Sequence, residues 1–383
     1  MMRKGLLVAL AGLLAAAPCA ALDCVLHSRA PEELATHLPA GAVLSGIAAR
    51  GGRLRADLPS SSLPALAGLR RAGLLDWWEP NHEVVAMDLE GDARIWVDPI
   101  AADSLADQAI QGQPGFVQTG IAGLREVTDG AGTIVAIVDT GADYGHPDAT
   151  LTDRLLAGRD FVNGDLDAQD DQGHGTRVTG VLVAILPGAD ILPVKALGAA
   201  GTGTIYDVAE GIEWAADQGA VVINLSLGGP EDSQTLREAI SYAESQGAIV
   251  VASAGNVDTS VPQYPAAILS VVAVAGVDLW DVRADFAAPT DGWASSYGSH
   301  VDVSAPAIDV KTTSWPADFV AADGTSYAAA IVSAILAGEK AVGKTNAEAE
   351  EDLETTAADI DDENPGFAGL LGSGRSDGGG AIQ

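Results

Sequence analysis

From residue 133 onward, short apolar runs rich in β-branched residues alternate with helical patterns, and no other feature restricts the fold as much. Runs at 133–138, 191–195, 221–226, 248–253, 270–277 and 301–304 are apolar on both faces, as strands of a parallel sheet covered on both sides must be. Helical patterns at 177–185, 205–218 and 234–246 fall between them. Strand, crossover helix and strand in this order predict an α/β, doubly wound, mainly parallel sheet. Sites in such sheets form beyond the C-terminal ends of the strands. The residues that end each run are therefore the ones to read for chemistry.

Upstream the chain changes character. Residues 1–21 read as a signal peptide, with Arg3 and Lys4, an apolar stretch at 6–17, and Cys19-Ala20-Ala21 as small residues for cleavage. That predicts a secreted protein, extracellular or periplasmic. Residues 22–90 form a small block with strands at 43–47 and 54–58, a helix at 60–73, and a stretch from Trp77 that leads into Val84-Val85-Ala86. Residues 92–130 read as polar and irregular, broken by Gly112, Pro114 and Gly115. No later run is long enough to span a bilayer. The two cysteines, Cys19 and Cys24, offer no disulfide framework.

Charge narrows the partners. The 383 residues carry 53 acidic and 20 basic side chains, a net charge of −33. The first 90 residues are nearly balanced, with 9 acidic and 8 basic, so the remainder holds 44 against 12. Such a surface excludes nucleic acid and anionic membranes as partners and favours solubility in salt.

Four stretches stand where chemistry is expected. Val138-Asp139-Thr140-Gly141 ends the first run, where a turn aspartate capping its own loop is the ordinary alternative. Gly173-His174-Gly175-Thr176 opens a helical pattern, and its glycines leave the imidazole room. Of the other five histidines, His27, His37 and His82 lie in the first block, His146 reads as structural and His300 as a surface loop residue. Ser253-Ala254-Gly255-Asn256 ends another run; the Asn256 amide can donate to a developing oxyanion, or the residue can occupy a left-handed turn. Gly324-Thr325-Ser326 precedes an Ala-rich apolar run, so Ser326 is either a helix cap or a nucleophile beside unpaired helix N–H groups.

Aspartate, histidine and serine in this chain order form the subtilisin arrangement of the Ser-His-Asp triad. With the Asn256 stretch, four motifs lie in register, and from about residue 115 to the C terminus the sequence resembles the subtilisin-like serine peptidases. The resemblance implies a subtilisin-like fold and a serine-type endopeptidase. Asp139, His174 and Ser326 are then catalytic, and Asn256 belongs to the oxyanion hole. A peptide substrate is expected to lie as a strand against Leu197, Gly201, Gly203 and Ile205 on one side and Ser226, Leu227 and Gly228 on the other. For Leu197, Ile205 and Leu227, ordinary core packing is an equal alternative.

The same resemblance implies that 22–90 is an inhibitory propeptide, a small α+β domain that assists folding and blocks the cleft. Its cleavage falls within 87–110, leaving 91–383 as a monomeric peptidase domain without cysteine. Protein or peptide substrates are the expected partners, and no cofactor is required. The family's Asn-rich calcium loop has no counterpart in the short connection 180–191. Asp165, Asp167, Asp170 and Asp171 are close enough in sequence to bind Ca²⁺ weakly, but a solvated acidic loop is the preferred reading. Three departures stand out: Tyr327 where Met is common, Ala330 where Pro is usual, and Arg177 where a second His is frequent.

Two rival classes remain at this point. A catalytically silent binding module keeps the fold and needs to lose only one triad member, and all are present. A serine esterase wants Gly-x-Ser-x-Gly and the order Ser, Asp, His, neither of which Ser326 has.

Overall fold

The computed structural model describes residues 22–47, 52–87, 97–99, 102, 104–286 and 293–382. The signal peptide read at 1–21 lies outside them, as do residues 88–96, 100, 101 and 103 of the expected cleavage window. The described chain divides into two compact units, one ending at Asn81 and the other starting at His82.

The second unit is built on seven strands in the spatial order Val303–Pro306, Val272–Val277, Ile249–Ser253, Val222–Leu225, Ile134–Asp139, Asp190–Lys195 and Arg159–Asp160. Every pairing between them is parallel. Side chains alternate between two apolar clusters: Val135 and Ile137 enter one, Ala136 and Val138 the other. This two-sided burial is why the strands read as unbroken apolar runs rather than as alternating ones. The helices His174–Ile185 and Thr325–Ala341 cover the first face and pack against each other. Ile205–Asp217 and Gln234–Ser245 cover the second. This is the doubly wound α/β arrangement expected from the alternation.

The Thr325–Ala341 helix is buried from Thr325 through Glu339. A helix apolar on all sides has to sit inside the molecule. Its burial fixes where the helix start carrying Ser326 must lie.

The stretch from 104 to 130 differs from its irregular reading. It forms three short helices, Gln108–Gln111, Pro114–Gln118 and Ile121–Val127. Gly112 and Pro114 separate helices here instead of abolishing them. The Asp107 carboxylate accepts from Ala109 N at 2.8 Å at the start of the first, and Pro114 opens the second. Ile110, Phe116, Ile121 and Leu124 then join the core of the first face.

The first unit is a four-stranded antiparallel sheet in the order Val43–Ile47, Arg53–Leu58, Leu22–His27, Trp77–Pro80, with helices Pro31–Thr36 and Leu63–Arg71. The Leu22–His27 strand and the first helix were not anticipated. Asp23 and His27 dilute the apolar signal of that strand, and only its two flanking strands bury Cys24 and Leu26 completely. Burial, with Asp23 and Asp57 nearby, pushes the Cys24 thiol up to about 12. It is a core side chain, not a reactive one.

One buried acid predicts how stability depends on pH. Glu339 is fully buried on the long helix, and burial pushes its carboxyl up to about 8 against the attraction of Lys344, whose Nζ is 3.5 Å away. Because the folded-state value lies above the ordinary 4.5, the folded form holds the proton more tightly. The contribution of Glu339 to stability is therefore greatest below pH 4.5 and declines as pH rises toward 8, at most about 1.4 kcal/mol per pH unit. Urea unfolding between pH 4.5 and 8 should show that decline, and Glu339→Gln should flatten it.

Candidate active site

Asp139 ends the Ile134–Asp139 strand, and its two carboxylate oxygens lie 2.7 and 2.9 Å from His174 Nδ1. The nearer oxygen also accepts from Thr140 N at 2.7 Å. Both side chains are fully buried, so the charge-assisted pair is shielded from water. His174 is the first residue of the His174–Ile185 helix. Gly175 is required beside it, because a Cβ there would collide with the Gly141 carbonyl.

A second buried carboxylate shapes that helix start. Asp170 accepts from Gly173 N at 2.8 Å, Thr176 N at 2.9 Å, Thr176 Oγ1 at 2.6 Å, Gln172 N at 3.0 Å and Thr140 Oγ1 at 2.9 Å. Burial alone would raise its pKa, but the hydrogen bonds from Thr176, Gln172 and Gly173 outweigh it and hold the carboxyl below its ordinary value. The solvated acidic loop is thus corrected at one position. Asp165, Asp167 and Asp171 are exposed, whereas Asp170 is buried because the orphan N–H groups of the helix need an acceptor. Asp171 pairs with Lys195, whose Nζ is 2.5 Å away and also donates to Thr140 O at 2.8 Å and Leu197 O at 3.1 Å. Lys195 thereby ties the turn after Asp139 to the Leu197 segment. Among the described residues no cluster of His, Cys, Asp or Glu is arranged to hold a metal ion.

Ser326 is the second residue of the Thr325–Ala341 helix. Its hydroxyl is buried and has no hydrogen-bond partner among the described residues. Its carbonyl accepts from Ser226 Oγ at 3.0 Å, Ser226 accepts from Asn224 Nδ2 at 2.9 Å, and Asn224 accepts from Ser333 Oγ at 3.0 Å. This relay fastens the serine's backbone to the Val222–Leu225 strand. Asn256 follows the Ile249–Ser253 strand, and its Oδ1 accepts from Thr325 N at 3.0 Å and Thr325 Oγ1 at 2.8 Å. Those two bonds turn its amide nitrogen the other way, where it donates to the carbonyl of Met87.

Met87 ends a segment of the chain that lies between the two walls. The Glu83–Ala86 strand pairs antiparallel with Thr202–Thr204 on one side and Leu227–Gly228 on the other. Val84 stands opposite Gly203, Ala86 opposite Leu227, and Val85 opposite Gly228. Ala86 N donates to Gly201 O at 2.8 Å, Met87 N to Ser226 O at 3.1 Å, and Ile205 N to His82 O at 3.0 Å. Gly228 is needed here, since a Cβ would collide with the Tyr264 carbonyl oxygen. Leu197, Ile205 and Leu227 share one buried cluster with Val84 and Ala86, so each packs in the core and also borders the strand. Beside Met87 a cavity of about 170 Å³ is bounded by Gly228, Pro230, Asn256, Val257 and Gln263.

At this site the structure joins Asp139 to His174 and Asn256 to the start of the Ser326 helix, and it sets Gly203, Leu227 and Gly228 opposite the Glu83–Ala86 strand. Several other residues that shape the site were missed. Met87 carries no motif. Thr325 and Ser333 act through partners 69 and 109 residues away. His146 is buried, edge-on to Phe319 with Nε2 3.1 Å from Asp318 O, while His300 lies in a turn and is half-buried.

Comparison with known proteins decides the family. The model of the subtilase family, peptidase S8, matches residues 130–374. The chain belongs to the subtilase family of serine peptidases. It is 39% identical over 246 residues to a thermophilic serine proteinase of Bacillus sp. (strain AK1), covering 61% of this chain and 59% of that protein. It is 37% identical over 245 residues to thermitase of Thermoactinomyces vulgaris, covering 61% and 84%. In fold it resembles the crystal structure of fervidolysin from Fervidobacterium pennivorans, with a TM-score of 0.74 at 23% identity over 97% of this chain and 62% of that one. The subtilase thus spans less than two thirds of the Bacillus proteinase and of fervidolysin.

The Asp170 cap makes a stability prediction for this subtilase. Because its pKa in the fold lies below the ordinary 3.8, Asp170 stabilises above pH 3.8, and that contribution is lost as pH falls through the folded-state value. Asp170→Asn should lower the unfolding free energy by about 1–3 kcal/mol at pH 7 and weaken the dependence on acid. Urea unfolding at pH 7 and pH 3 checks both parts.

Proposed function

We propose that this subtilase is an exported endopeptidase that hydrolyses peptide bonds through Asp139, His174 and Ser326, and that it first cuts its own chain between Met87 and Asp88. The observation that carries this reading is the strand held between two walls with the Met87 carbonyl on the Asn256 amide. A peptide carbonyl held there lies beside the helix start on which Ser326 sits.

Ser326 Oγ adds to the Met87 carbonyl carbon while its proton passes to His174 Nε2. Asp139 keeps the imidazole in the tautomer with the proton on Nδ1 and stabilises the cation that forms. The oxyanion is held by Asn256 Nδ2 and the Ser326 N–H, aided by the helix dipole. The tetrahedral intermediate expels the Asp88 amine, which takes the proton from His174, and water then hydrolyses the Met87 ester by the same route. Losing one oxyanion donor costs about 3 kcal/mol in the barrier. Thr325 is a positioning residue, because its two bonds to Asn256 Oδ1 aim the amide.

In this reading the chain through Met87 is an inhibitory propeptide that remains in the cleft as product until it is degraded. Other protein substrates then take the same path between the walls, and the mature enzyme acts as a monomer. The apolar bed of Val84 and Ala86 and the cavity beside Met87 favour extended segments with apolar side chains.

Ser326→Ala should remain at full length apart from the signal and show no activity on casein. The wild-type protein should expose Asp88 as its first new N terminus, read by terminal sequencing early in maturation. Met87→Lys should slow that cleavage at least about tenfold, because a desolvated charge must enter an apolar site, whereas Met87→Leu should stay within a few-fold. A Ser326→Ala protein that matures normally would sink the assignment.

A further inference from the structure

Two of the departures noted in the sequence, Arg177 and Tyr327, meet in the fold although 150 residues separate them. Arg177 Nε donates to Tyr327 Oη at 3.0 Å, and the two side chains are 2% and 0% exposed. Arg177 follows His174 by three residues and so shares its face of the helix. Tyr327 directly follows Ser326, and its ring centroid lies 6.4 Å from that of His174. The guanidinium leans back toward the helix start, where a Cβ on Gly173 would stand 3.2 Å from Nη1. The same turn is seated by Thr312 Oγ1, donating to Arg177 O at 2.6 Å, and Thr313 Oγ1, donating to Thr176 O at 2.9 Å.

We propose that Arg177 and Tyr327 form a positioning pair for the reaction, bridging the helix that carries His174 to the helix that carries Ser326 and opposing protonation of His174. The proposal rests on the reading of His174 as the general base. A hydrogen bond between the two helices, just behind the reacting groups, fixes the reach of the imidazole to the hydroxyl. Misplacement by about 1 Å at such a site costs about a hundredfold in rate.

The charge matters as well. Among the described residues, the charged and titratable groups near His174 include the Asp139 carboxylate on Nδ1, the Asp170 carboxylate beneath the helix start, the Arg177 guanidinium and the Tyr327 phenol. Lys195 is bound to Asp171 and Thr140 O, so its charge is matched by that of Asp171. The two carboxylates favour a protonated imidazole, which cannot act as a base; the guanidinium is the neighbouring charge of opposite effect.

The test compares Tyr327→Phe, Arg177→Met, Arg177→Lys and the double variant Arg177→Met/Tyr327→Phe, each expressed as the full chain and assayed on a peptide substrate after maturation. Tyr327→Phe and Arg177→Met should each lower kcat by about tenfold or more with KM within about twofold. The double variant should be no worse than Arg177→Met alone, because one bond is lost only once. Arg177→Met should also shift the acid limb of kcat/KM to higher pH, whereas Arg177→Lys, which keeps the charge, should leave that limb in place. Three outcomes overturn the proposal: kcat within twofold of wild type in Tyr327→Phe, losses that multiply in the double variant, or an acid limb unmoved in Arg177→Met. If Arg177→Met does not fold, as judged by near-UV circular dichroism, Tyr327→Phe and Arg177→Lys decide on kcat alone. Processing by Ser326→Ala would instead refute the active site itself, so the two failures are distinguishable.

Discussion

A buried carboxylate must find donors, and the architecture of this cleft follows from where two of them find theirs. Asp139 is satisfied by His174 Nδ1 and Thr140 N, Asp170 by the opening N–H groups of the same helix and the Thr140 hydroxyl. Together they lock a strand end, a turn and a helix start into one arrangement. An unpaired charge at either position would cost several kcal/mol, so the geometry is over-determined rather than merely allowed. The imidazole inherits its orientation from that lock.

The other half of the cleft is set by apolar burial. The Thr325–Ala341 helix has no face fit for water, and its N-terminal end emerges at the C-terminal ends of two central strands, where Asn256 and Ser226 wait. Polar side chains then refine what burial roughly positioned. Thr325 aims the Asn256 amide, and the chain from Ser333 through Asn224 to Ser226 holds the Ser326 backbone. The result is a groove open to an extended chain on both edges, and the protein's own residues 83–87 use it. Main-chain pairing of this kind is indifferent to side chains, so any discrimination between segments rests on the apolar cluster under the strand and on the cavity beside Met87.

Much of this was legible in the linear chain. Two-sided apolar runs predicted the parallel sheet, and every run named became a strand within two residues of its expected limits. Asp139, His174, Asn256 and Ser326 could be read because each ends a strand or opens a helix, and such positions are visible locally. The Leu22–His27 strand was not, since its burial comes from partners on both sides and not from its own pattern. Asp170 read as one acid among four, because nothing local says which carboxylate the helix start will recruit.

The sequence by itself determined six of the seven strands of the sheet, their alternation with helices along the chain, and the residues presented at their ends, because hydrophobic period and helix-start chemistry act over a few residues; the short Arg159–Asp160 strand and the spatial order came from the fold. Only the tertiary structure decided that Met87 meets Asn256, that Thr325 aims that amide, and that Arg177 pairs with Tyr327 across 150 residues. Such contacts arise where separately determined elements are pressed together, and the chain between them carries no trace of the distance that closes.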